Sequence, residues 1–175
     1  QDPHLVRPKP SFAALLKDTF GFARQMGVKT CVGTETPLVI PQLVRERLEQ
    51  ADKPATDPAT AQLVYEGIFR RIMAAYPVDY YWLWTPEGWT WEAVKQDQID
   101  ATLADFQAAQ RAAEAVGAPF QLATCGWVLG PPQEPSLFDG VLPESWPLSC
   151  INRNVGHDPV EPGFAAVTGR SQWAI

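Results

Sequence analysis

The sequence predicts an α/β fold with parallel strands, and three observations lead there. Apolar segments of helical period alternate with short β-rich runs. Two helix–strand units repeat one another, since Ala23-x-x-x-Gly27 is followed seven residues later by Thr34, and Ala113-x-x-x-Gly117 seven residues later by Thr124. Acidic and polar residues also gather just past the predicted strands, where Thr34, Thr85 and Thr124 mark three strand ends that read as equivalent.

The elements follow in order. Residues 1–10 read as an N-terminal extension and 11–175 as a single domain. Ser11 caps a helix over 11–26, with Phe12, Leu15, Leu16, Phe20, Ala23 and Met26 expected on its buried face and Gly27 as its stop. Val28 to Thr34 reads as a strand, and Pro41 to Gln50 as a helix. Asp57 then caps a helix with Pro58 in its first position, where the missing N–H costs nothing, and Leu63, Val64, Ile68 and Ile72 form its expected stripe. The strand Asp79 to Trp84 precedes a long helix from about Trp91 through Val116, with Ile99, Leu103, Phe106, Ala113 and Val116 facing inward and Gly117 as terminator. Phe120 to Cys125 is the third strand, residues 129–147 form a loop rich in Pro and Gly, Leu148 to Asn152 is the fourth strand, and a fifth begins at Ser171.

Repeated strand–helix–strand units with right-handed crossovers build a parallel sheet. Among parallel folds the (β/α)8 (TIM) barrel collects its chemistry at strand C-termini, so a partial barrel of about four to five strands is expected. A full barrel takes about 250 residues, and this chain has 175. The expectation is a fragment of a larger catalytic domain, incomplete at its C-terminus, with further polypeptide or a second chain covering the open sheet edge.

Composition narrows the partners. With 46% apolar and 19% charged residues the chain is a folded globular protein. A net charge of −6 without a Lys/Arg cluster argues against nucleic acid or an anionic membrane as partner. No apolar run approaches the ~20 residues of a membrane helix, and the N-terminus lacks a signal pattern. Cys31, Cys125 and Cys150 lie in apolar, strand-like contexts and read as small core residues, without a Cys-x-x-Cys pair.

The chemistry centres on the run Tyr80-Tyr81-Trp82-Leu83-Trp84-Thr85-Pro86-Glu87-Gly88-Trp89. A carboxylate at a strand mouth among indoles can bind a sugar's apolar face and protonate its oxygen. Glu87 is therefore the candidate general acid, its protonated form favoured by burial beside Trp84 and Trp89. Glu35, in Gly33-Thr34-Glu35-Thr36-Pro37, is the candidate nucleophile, base or substrate-binding acid, held ionised by the hydroxyls of Thr34 and Thr36. Two such carboxylates are the minimum apparatus for glycoside hydrolysis. Trp84 and Trp89 are candidate substrate-binding indoles, Trp127 is a candidate sugar-stacking wall, and Asn152, Arg153, His157 and Asp158 can grip hydroxyls, with Arg153 suited to a uronic carboxylate. The plainer reading makes Glu87 a helix opener, Glu35 a loop acid and the 152–158 segment a turn.

These residues, in Trp-Thr-Pro-Glu-Gly-Trp, Gly-Thr-Glu-Thr-Pro and Gly-Arg-Ser-Gln-Trp, resemble the catalytic barrels of bacterial glycoside hydrolases related to α-glucuronidases and hexosaminidases. The resemblance spans residues 11–175 as architecture and implies a (β/α)8 catalytic domain, a carbohydrate substrate, strand-end acids at Glu87 and Glu35, no cofactor, and an extracytoplasmic or periplasmic setting. Two other readings stay open. A barrel-type sugar isomerase or epimerase would hold a divalent metal with Glu35, Glu87, His157 and Asp158. A non-catalytic carbohydrate-binding module would use the tryptophans alone.

Overall fold

The computed structural model describes residues 11–55, 57–90, 92–125, 128–150 and 166–174. In chain order these form α1 (Phe12–Gln25), β1 (Cys31–Glu35), α2 (Gln42–Gln50), α3 (Pro58–Ala75), β2 (Tyr80–Trp84), a 3-10 turn (Glu87–Thr90), α4 (Gln96–Val116), β3 (Gln121–Cys125), α5 (Leu137–Val141), β4 (Leu148–Cys150) and β5 (Gln172–Ala174). The fold is α/β. Strands β1, β2 and β3 form a parallel sheet in that order, and β4 and β5 form a second parallel pair. Thr124 N–H donates to the Pro147 carbonyl at 3.1 Å, which sets the start of β4 beside β3. Among the described residues the strands do not close into a barrel.

The caps are where local chemistry requires them. Ser11 Oγ accepts from Ala14 N–H at 3.2 Å, and Asp57 Oδ1 accepts from Ala59 N–H at 2.8 Å with Pro58 opening α3. Gly27 and Gly117 end α1 and α4 with φ of 73° and 61°, and in both the next N–H returns to the helix, Val28 to Ala23 and Ala118 to Ala113, at 2.9 Å. The internal repeat is therefore a repeated helix stop. Thr34, Leu83 and Thr124 stand in register across the sheet, so the β2 counterpart of the repeated threonines is Leu83. Thr85 matches Thr36 instead, correcting the equivalence expected from sequence.

Alternation along the strands sorts two faces. Tyr81 and Leu83 are buried against the helices, where Tyr81 packs on Phe69 and Phe120 with ring centroids 4.8 and 6.0 Å apart. Helices α3 and α4 pack on each other over this face, with Tyr65, Phe69, Phe106, Ala109 and Ala112 at 0 to 1% exposure. Tyr80, Trp82 and Trp84 point to the other face, which carries no helix among the described residues. There Trp173 of β5 meets Tyr80 at 4.6 Å and Trp82 at 6.0 Å. Three strand spacings separate β5 from β2, about 14 Å in a flat sheet. The contact therefore requires the strands to curl, making this face concave.

Several expectations are corrected. No residue of α1 is buried: Phe12, Leu15, Phe22 and Met26 are exposed, and α1 meets the core through half-buried Phe20, whose ring meets Tyr76 edge-on at 5.6 Å. The buried stripe of α3 is Thr60, Tyr65, Phe69 and Ile72, with Leu63 exposed, because the stripe follows the aromatic side chains facing α4. Helix α4 begins at Gln96, five residues later than expected, since Glu87–Thr90 make a separate turn and the Lys95 N–H is capped by Gln98 Oε1 at 2.9 Å. The loop 129–147 contains α5, whose Phe138 is fully buried.

Candidate functional site

On the concave face, the C-terminal end of β1 places Glu35 directly in register with Trp84. Both follow from strand period: Cys31, Gly33 and Glu35 share a face with Tyr80, Trp82 and Trp84, whereas Val32 and Thr34 face the helices. A groove of about 300 Å³ runs along β1 from Cys31 to Glu35 and is walled by Trp82 and Trp84. Glu35 is exposed in it, Trp84 is half-buried, and the Trp82 indole N–H is buried with no acceptor among the described residues. Cys31 is half-buried at the other end, and burial pushes its thiol pKa up, which keeps it protonated and unreactive. A larger cavity, about 360 Å³, lies at the N-terminal ends of the strands between α1 and the end of α3. The carboxylate at that end is Asp79, which is engaged by Thr30, Lys29 and Arg24.

Gly33 is what lets the groove form. A Cβ at this position would collide with the Trp82 backbone carbonyl, so the close approach of β1 to β2 requires glycine.

Around Glu35 the threonines are engaged elsewhere. The Thr36 hydroxyl donates to the Trp84 carbonyl at 2.8 Å, and Thr34 Oγ1, on the helix face, accepts from the Tyr81 hydroxyl at 3.2 Å. The expectation that these two hydroxyls hold the Glu35 carboxylate is corrected by the alternation of the strand. Beneath them lies a buried polar pair. Tyr65 donates to Asp105 Oδ2 at 2.7 Å, and the Leu38 N–H faces the same carboxylate. This pair fastens α3 to α4 beneath the end of β1.

Glu87 opens the 3-10 turn three residues beyond Trp84 and is exposed, so the expected burial beside Trp84 and Trp89 is corrected. Trp89 is a core residue, 4% exposed and stacked on Phe138 at 5.9 Å and 26°. The turn rotates its indole inward under α4 and α5, leaving Trp84 as the described indole beside the strand-end acids. Trp127, Asn152, Arg153, His157 and Asp158 lie outside the described residues. Among the described residues no three His, Cys, Asp or Glu side chains gather where a metal ion would be held, and no helix is long and apolar enough to cross a membrane.

Sequence reasoning missed four residues here. Tyr80, Trp82 and Trp173 form the concave aromatic floor, and strict alternation in Tyr80-Tyr81-Trp82-Leu83-Trp84 was the signal that could have separated them from the core. Asp105 was the fourth: it interrupts the stripe Ile99, Thr102, Phe106, Ala109, Ala112, and a charge within such a stripe marks a buried, partnered group. Comparison of the chain with family models, with curated proteins and with solved structures found no match in any of the three.

Proposed function

We propose that this chain is part of a (β/α)8-barrel glycoside hydrolase whose concave face binds a sugar and whose strand-end carboxylates act on its glycosidic bond. The register pairing of Glu35 with Trp84 at the mouth of an aromatic groove carries this reading. An indole offers its face to the C–H surface of a pyranose while the adjacent carboxylate meets the hydroxyls or the anomeric carbon. The curl that brings Trp173 onto Tyr80 and Trp82 supports the barrel, since inward-facing side chains of nearby strands meet in this way. Glu35 serves as nucleophile, base or substrate-binding acid, and Glu87, on the exposed turn after β2, as proton donor to the leaving oxygen. Bound substrate would exclude water from both.

Turnover of a panel of 4-nitrophenyl glycosides tests the proposal. Glu35→Gln and Glu87→Gln should each lower kcat/KM by about 10²- to 10⁴-fold, and unchanged turnover in both variants would overturn it. The exposure of Glu87 favours a second reading, a carbohydrate-binding module without catalysis. That reading holds if the unaltered chain binds sugar and hydrolyses none.

A further inference from the structure

The groove beside β1 carries a specific recognition chemistry. Its acceptor is the exposed Glu35 carboxylate, its apolar wall is Trp84, and its unused donor is the Trp82 indole N–H, which is buried without a partner among the described residues. A buried donor left unpaired is uncommon and costly, and this one belongs to a residue that walls the groove, so an acceptor brought by a ligand can satisfy it once the indole yields to the ligand. No Lys or Arg is among the groove's described lining residues, which run from Cys31 to Glu35 with Trp82 and Trp84. Lys29, just before β1, and Arg24 are both 3.5 Å from Asp79 at the opposite, N-terminal end of the strands. The single charge facing a ligand among the groove's described lining residues is negative.

We infer that this groove selects a pyranose without an acidic substituent, neutral or bearing a protonated amino group, and discriminates against uronates and sulfated sugars. The inference rests on the carbohydrate reading of the groove and names the substrate class within it. A ring stacked on Trp84 places its substituents beside Glu35, where a second carboxylate meets like-charge repulsion and an ammonium meets attraction. Trp82 Nε1–H donates to a hydroxyl or ring oxygen, which neutral, amino and acidic sugars all offer. Trp82 therefore adds to the affinity that stacking on Trp84 supplies, and Glu35 sets the charge preference.

Saturation-transfer NMR or tryptophan-fluorescence titration with methyl glucoside, glucosamine and glucuronate, at fixed low ionic strength and pH 6, tests this directly. Glucosamine should bind at least as tightly as methyl glucoside, and glucuronate at least about tenfold more weakly. In Glu35→Gln the spread between the three should shrink to about twofold, and added salt should shrink it in the unaltered protein. Trp82→Phe should weaken all three roughly fivefold without changing their order. Glu35 is exposed, so its variant tests the charge preference without a folding cost. Glucuronate binding as tightly as methyl glucoside would overturn the substrate class while leaving the hydrolase reading intact. Failure of all three sugars to bind would overturn both.

Discussion

The Tyr65 hydroxyl of α3 donates to the Asp105 carboxylate of α4 at 2.7 Å, with the tyrosine at 0% and the aspartate at 6% exposure. Thr34 of β1 accepts from the neighbouring Tyr81 hydroxyl at 3.2 Å, and the Leu38 N–H of the following loop faces the same aspartate. One buried acid thus joins α3 to α4 beneath the strand end that carries Glu35. Burial raises the Asp105 pKa above the ordinary carboxylate range, opposed by the bonds from Tyr65 and Leu38, and burial pushes Tyr81 up to about 12.

A raised folded-state pKa means that the native protein binds the Asp105 proton more tightly than the unfolded chain. The resulting stabilisation is fully present below the unfolded value of about 3.9 and is lost as pH rises through the higher folded value. Asp105→Asn should flatten this fall in urea midpoints measured between pH 4 and 7. Tyr65→Phe, which removes a donor from a buried acid, should cost about 1–3 kcal/mol at neutral pH. A variant as stable as the parent would show that the aspartate finds another donor.

Asp79 behaves in the opposite sense. Its carboxylate is held below the usual range, chiefly by the Thr30 N–H at 2.9 Å, with further help from the Thr30 hydroxyl and from Lys29 and Arg24. Its stabilising contribution is present above about pH 3.9 and is lost as pH falls through the depressed folded value. Asp79→Asn should make the protein less stable at pH 6 and remove this part of its acid sensitivity. Arg24→Ala and Lys29→Ala should each change stability by less than about 1 kcal/mol, because both cations are largely exposed. Chemical denaturation of the three variants at pH 3 and pH 6 separates the roles.

The sequence foretold elements better than faces. Ser11, Asp57, Gly27 and Gly117 announce helix ends because capping uses one or two adjacent residues. The strands around Tyr81 and Leu122 were legible as apolar β-rich runs. What a helix or strand buries depends on partners distant in sequence, so α1's stripe was misread. The register of Glu35 with Trp84 was equally beyond local pattern; Glu35, expected just past the first strand, is the last residue of β1. Trp89 shows the limit most clearly: four residues of 3-10 turn decide whether its indole faces a ligand or Phe138, and composition does not encode that turn.

Arg170 was visible only as a motif residue, yet it is a structural clamp. Its side chain is 2% exposed, and its guanidinium donates to the carbonyls of Asp139, Leu142, Pro143 and Trp146 at 2.7 to 3.3 Å while Nε lies 2.7 Å from Asp139 Oδ1. The fork of donors fits this ring of carbonyls from α5 and the loop after it, among which that of Pro143 also accepts from the Trp146 N–H. Arg170→Met should cost about 3 kcal/mol, and Arg170→Lys nearly as much, since an ammonium cannot serve all of these acceptors. Hydrogen exchange over residues 137–148 should accelerate in both variants. Unchanged exchange there would mean that the segment holds itself.

Tryptophans 84 and 89 should separate function from stability. Trp89→Ala removes a core ring stacked on Phe138 and should cost about 3–5 kcal/mol. Trp84→Ala should cost about 1–2 kcal/mol and abolish sugar binding in the fluorescence titration. Binding that survives Trp84→Ala would remove the stacking wall from the proposed site.

Two glycines offer the sharpest stability contrast. At Gly33 any side chain meets the Trp82 carbonyl, backbone against backbone, so Gly33→Ala must force β1 from β2 and should cost about 1–3 kcal/mol. Because that strand pair holds Glu35 opposite Trp84, sugar binding should weaken with it. Gly67, in the middle of α3, has open space where a methyl group would stand, with no atom beyond its own helix backbone within 4 Å, and Gly67→Ala should stabilise by about 0.5–1 kcal/mol through helix propensity alone. The sites lie on different elements, so thermal midpoints of the double variant should reflect the sum of the two effects. A Gly33→Ala protein that melts with the parent and binds sugar normally would show that β1 and β2 have room to part without moving the groove.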